Sequence, residues 1–191
     1  MKNLSYLLPL FFLISSCSDN SDENVFEELM QSEWQRDIDE NPLYASSMGN
    51  LDKNDQWPEY SVEKIKTNYE HDLKILTQLN QLNSDAFSDD NLLNLQLFKD
   101  QYINSTELYQ FKNFLMPFSH RGGIQLQHES AETLPLRSVK HYEDWLSRLS
   151  KIDNYIDSHI NVAKAGMANN IMPPRILMQR VLDQIKSQAF S

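Results

Sequence analysis

Glycine is scarce in this chain of 191 residues, and its four copies cannot furnish the tight turns and phosphate-cradling loops on which many α/β folds depend. No P-loop, G-x-S-x-G elbow or dinucleotide fingerprint occurs in it. A single cysteine, Cys17, rules out an internal disulfide framework. Basic charge is also short: the formal net charge is -10 and no stripe of Lys or Arg appears, which excludes nucleic acid as a partner. The one long apolar run, from Leu4 to Ile14, is too short to span a bilayer stably.

That run has a different use. Lys2 supplies a positive start, the apolar stretch follows, and Ile14-Ser15-Ser16-Cys17 has the small residues before a lone cysteine that a lipoprotein signal peptidase requires. Residues 1–16 therefore read as a signal peptide and Cys17 as the lipidated (palmitate-bearing) residue, with residues 17–24 as a polar tether. The partner so implied is a membrane, in a bacterial cell envelope. No Asp directly follows Cys17, which under the sorting rule such lipoboxes imply points to the outer membrane.

Residues 25–191 carry helical spacing almost throughout. A hydrophobic share of 40% with 10% aromatics is enough for one packed domain. Between Ser18 and Glu40 stand nine acidic side chains against Arg36 alone, so most of the net charge is local. Phe26, Met30, Trp34 and Ile38 fall four apart, which predicts a helix with its acids on the wet face. Asn41-Pro42 opens a short helix closing at Gly49. Trp57-Pro58 follows in a polar loop, its indole read as a lid over the core. Ser61 caps a helix carrying Ile65, Tyr69, Leu73, Leu76 and Leu79. The run Leu92 to Ile103 is apolar on more than one face and predicts a central helix packed from two sides.

Ser138 begins another helix, through Val139, Tyr142, Leu146 and Leu149. Ser150 with Asp153 has the form of a capping box for the next, whose stripe is Ile152, Ile156, Ile160, Ala163 and Met167. Asn169-Asn170 and Pro173 end it. Pro174 suits the first turn of a final helix, with Ile176, Leu177, Val181, Leu182 and Ile185 as its buried face. The fold class expected is all-α, built from antiparallel helical hairpins.

Only Phe111 to Leu136 loses the period, and it holds Pro117, Gly122-Gly123 and Pro135. Long irregular stretches inside compact domains often line sites, so His120, Arg121, Gly122, Gly123 and His128 form the candidate site-lining loop. His120-Arg121-Gly122-Gly123 reads as a plain turn ahead of an anion-binding nest. His128-Glu129-Ser130-Ala131-Glu132 starts like a zinc-peptidase helix, but Glu132 stands where the second histidine belongs. No catalytic residue, metal ligand or cofactor is assigned in this chain.

The order of landmarks resembles the amino-terminal third of the bacterial family catalogued as domain of unknown function 885. The landmarks are Asn41-Pro42, Ala45, Gly49, Trp57-Pro58, Leu92 to Leu95, Tyr142 to Leu149 with Arg148-Leu149, Gly166, Pro173-Pro174-Arg175 and Val181 to Ile185. The resemblance covers about Phe26 to Ala189. It implies an exported, mostly helical lipoprotein of several hundred residues, whose carboxy-terminal half carries a His-Glu-x-x-Pro-Gly-His motif and a zinc-dependent peptidase-like site acting on peptides. That motif is absent here, so the resemblance carries over no metal or catalytic residue. The expectation is the incomplete front part of a larger helical fold; the alternative is a complete small lipoprotein serving as a binding or scaffolding module.

Overall fold

The computed structural model describes residues 21–85 and 87–189, the side chains of Ser21, His128 and Ala189 excepted. The expected signal peptide and lipidated Cys17 lie outside these residues. Seven α-helices follow in order: α1 (Ser21–Glu40), α2 (Pro42–Ser47), α3 (Val62–Gln81), α4 (Asp89–Gln110), α5 (Val139–Leu149), α6 (Ile152–Ala168) and α7 (Arg175–Ala189). Two 3-10 helices, Asn113–Leu115 and Ile124–Thr133, fill the segment between α4 and α5, and no strand occurs among the described residues. The protein is all-α.

The main core forms where α1 meets the α3–α4 hairpin. Phe26, Ile75, Leu79, Leu95 and Tyr102 are buried together, and Phe87 and Phe98 pack on Phe26 with ring centroids 5.9 and 6.0 Å away. Burying one such aromatic stabilises the fold by about 2 kcal/mol or more. Helix α1 begins at Ser21, inside the stretch expected to be a tether. Its first acids hold the α3–α4 connection: Asp22 accepts the Asn83 amide at 2.8 Å, and Glu23 accepts the Ser88 amide, the Ser88 hydroxyl and the Asn91 side-chain amide.

The wet-face reading of α1 needs a correction at Glu33, which is only 8% exposed, while Trp34 is 48% exposed. The period explains it. Seven residues after Phe26 an α-helix has drifted only about 20° from its starting face, so position 33, not 34, points inward. Helix α4 is also not packed from two sides. Leu95, Tyr102 and Thr106 are buried, whereas Leu93, Leu97, Leu108 and Phe111 on and just beyond it are open to solvent.

Helix ends follow local chemistry. Ser61, Ser88 and Ser138 each accept an amide hydrogen bond from the third residue beyond them, at the starts of α3, α4 and α5. Pro42 starts α2, but the Asn41 side chain turns back to Asp37 instead of capping. Ser150 caps the end of α5, its hydroxyl donating to the Ser147 carbonyl, so it makes no capping box with Asp153. Asn170 closes α6 with φ of 58°.

The buried side of α6 is His159, Val162 and Gly166, one step around from the isoleucine stripe. On α7 only Val181 is buried, and Ile176, Leu182 and Ile185 are exposed. Both stripes predicted as core are therefore only partly covered: Val181 is buried and Leu177, Ile152, Ile160 and Ala163 are half-buried, while the remaining members are exposed.

Candidate functional site

The irregular segment and the two last helices border an open cavity of about 690 Å³. Phe118, Ile124, Gln125 and Gln127 form one wall, Ile152, Ile156 and Ile160 of α6 a second, and Ile185 and Gln188 of α7 a third. This is where the isoleucine stripe of α6 goes. The cavity is a greasy groove with amides in its lining, suited to an apolar group or a helix face, and its described lining residues include no nucleophile or general base.

Of the candidate loop residues, His120, Arg121, Gly122 and Gly123 stand outside the described lining of this groove. The Ser119 side chain and carbonyl accept the amides of Arg121 and Gly123 at 3.3 and 3.1 Å, which takes the donors an anion nest would need. Arg121 and Gly122 are exposed. Gly123 is buried where an added Cβ would collide with the Gln125 side chain. His120 is half-buried, and its carbonyl accepts the Gln184 side-chain amide at 2.9 Å. Its Nδ1 is buried without a hydrogen-bond partner among the described residues. His128 sits on the second 3-10 helix, its side chain outside the described residues.

Arg148 is a second centre, and its role is not legible from the sequence. The whole residue is buried, and one guanidinium nitrogen donates to Ser46 Oγ at 2.9 Å, to the Lys53 carbonyl at 3.2 Å and to the Pro42 carbonyl at 3.4 Å. Its Nε and second terminal nitrogen are buried without partners among the described residues. Burial lowers its pKa to about 10, against the pull of Asp55 and Asp144. Trp57 lies over the guanidinium, stacks on Tyr155 at 4.8 Å and donates its indole N–H to the Arg148 carbonyl at 2.6 Å. Asn41-Pro42, Trp57-Pro58 and Arg148-Leu149 thus meet at one knot joining α2, the loop after it and α5. Tied to both Arg148 and Tyr155, Trp57 fastens these elements to one another.

A third polar group lies inside the α1, α3 and α4 bundle. The Glu33 carboxylate accepts the Tyr102 hydroxyl at 2.8 Å and meets His71 Nε2 at 2.8 and 2.9 Å. Burial, reinforced by Glu33, pushes the Tyr102 phenol well above its ordinary range. These residues do not fit the zinc that the resemblance implies for the larger protein. His71 and Glu33 are bonded directly to each other, and no three His, Cys, Asp or Glu among the described residues converge as ligands.

Fold and sites together define a helical protein held by a buried arginine knot, with an apolar groove left open between its last helices. The family model described as bacterial protein of unknown function (DUF885) matches residues 42–190, and the chain belongs to that family. Neither a curated protein nor a solved structure matches it.

Proposed function

We propose that this chain is the amino-terminal helical portion of a membrane-tethered, zinc-dependent peptidase-like protein, and that it is not catalytic by itself. One observation carries the reading. The Ile152, Ile156 and Ile160 stripe of α6 has the spacing of a core-facing helix yet borders an open groove with Ile185 of α7, and Ile176 and Leu182 of α7 are also exposed. Apolar faces of that kind are covered by further helices in a complete domain. The family resemblance supplies the rest of the reading: a carboxy-terminal half with the zinc motif, and peptides as substrates. Zinc belongs to that half, and no step is assigned to it here.

The nucleotide sequence directly after Ser191 tests this. A continuing frame with a downstream His-Glu-x-x-x-x-His pattern supports the peptidase-like reading, and a stop codon replaces it with the small scaffolding lipoprotein. The tether has its own test. Cys17→Ser should abolish palmitate labelling and leave the precursor unprocessed in a bacterial host, and unchanged labelling would remove the anchor. None of the described helices is long and apolar enough to cross a membrane, so attachment in this reading rests on the acyl chains.

A further inference from the structure

Away from the groove and the arginine knot, two cavities of about 410 and 430 Å³ open between α1, α3 and α4, and share Asp72 and Ser105 as a common wall. We propose that this pair of cavities binds an organic cation, an alkylammonium or guanidinium group of the kind borne by lysine and arginine side chains. The inference goes beyond the family reading and does not rest on it.

Charge sets the sign of the ligand. The first cavity is lined by Glu33, Asp37 and Asp72 against Arg36 alone. Arg36 is already committed, with Glu40 at 3.0 Å and the Asn68 side-chain oxygen Oδ1 at 3.0 Å. Glu33 is occupied by His71 and Tyr102. Among the described residues, Asp37 and Asp72 receive side-chain hydrogen bonds from the neutral donors Asn41 and Ser105 respectively. Burial raises the Asp72 pKa despite the Ser105 hydrogen bond and the nearby charges of Arg36 and His71, so its carboxylate is under-compensated. A cation entering beside it would correct that deficit.

The walls select the kind of cation. Trp34 and Tyr44, 48% and 40% exposed, line the first cavity edge to face with ring centroids 6.1 Å apart. Aromatic rims attract soft, weakly hydrated organic cations, whereas a small metal ion needs converging oxygens, and no such group of ligands occurs among the described residues. The exposed aromatics also argue against a merely solvated acidic face, since solvation asks for no apolar wall.

Binding can be measured on the full 191-residue chain by calorimetry and by nuclear magnetic resonance of its three tryptophan indoles. The probes are cadaverine, agmatine and end-capped tripeptides centred on lysine, arginine or norleucine. Lysine or arginine probes should bind saturably and shift the Trp34 indole signal while leaving Trp57 and Trp145 in place. Asp72→Asn and Trp34→Ala should each weaken binding about tenfold, the loss of one good contact. Asp72→Asn relieves an under-compensated charge and keeps the fold, and Trp34→Ala removes an exposed ring, so folded variants are in hand. Tighter binding of the tripeptides assigns the site to peptide side chains, and equal binding of the amines assigns it to free amines. Equal binding of the norleucine peptide, an unmoved Trp34 signal, or full affinity in Asp72→Asn would overturn the proposal.

Discussion

Gly166→Ala adds one methyl group where there is no room. The new Cβ would collide with the Leu115 carbonyl oxygen and lie 2.8 Å from that of Ile171, both backbone atoms that cannot swing aside. The glycine lets the 3-10 turn Asn113–Leu115 press against α6, and its own carbonyl accepts the Ile171 amide at 2.9 Å. The substitution should cost about 1–3 kcal/mol by denaturant titration, and an unchanged midpoint would show that the contact is loose. His159, seven residues earlier, predicts a pH effect. Its ring stacks on Tyr60 at 4.0 Å, and Nδ1 donates to the Tyr155 carbonyl at 2.8 Å. Burial lowers its pKa, only partly offset by that carbonyl. The unfolded chain therefore takes up a proton near pH 6.5 that the folded chain refuses. Stability from His159 is complete above that pH and is lost as pH falls through the lower folded value. Thermal midpoints of the wild type should drop more steeply between pH 7 and 5 than those of His159→Gln.

At the scale of elements, Arg148 decides how α2, the loop from Leu51 to Pro58 and α5 hold together. Arg148→Lys keeps a charge but replaces a planar fork by a single ammonium on a shorter reach, which cannot serve Ser46, Lys53 and Pro42 as the guanidinium does. A loss of about 2 kcal/mol or more is expected, with faster amide exchange confined to the loop after α2. Uniform exchange across all helices would show that the knot is not local. The elements differ in how far they were legible. Helix starts at Ser61 and Ser138 were readable because the cap is a property of a few adjacent residues. The resemblance could order Asn41-Pro42, Trp57-Pro58 and Arg148-Leu149 along the chain, but no local rule says that they meet. The choice between Glu33 and Trp34 was open to a strict seven-residue count, and the fourfold spacing concealed it. The inward face of α6 was hidden for a different reason: a stripe of isoleucines marks an apolar face but does not say which neighbour covers it. The Asp72–Ser105 wall was beyond reach, since it joins two helices thirty-three positions apart.

For the whole molecule, the open faces should govern behaviour in solution. Leu93, Leu97, Leu108 and Phe111 lie along one side of α4 and its end, Ile156 and Ile185 line the groove, and Ile176 and Leu182 are exposed elsewhere on α7. Uncovered patches beyond a few hundred square ångströms are uncommon on self-sufficient monomers. Local hydrogen bonding keeps the helices formed, yet much of their stability comes from packing on such faces. Residues Ser18–Ser191 should therefore show strong helical circular dichroism while binding a hydrophobic dye, self-associating and unfolding over a broad range. Placing charge in the groove separates cause from coincidence. The double variant Ile156→Lys with Ile185→Lys should lower dye binding and self-association by at least about half while leaving helicity unchanged, because both side chains already border solvent. A sharp, monomeric thermal transition with little dye binding in the wild type would instead mean that these helices close on themselves, and would favour the scaffolding lipoprotein over the peptidase-like portion.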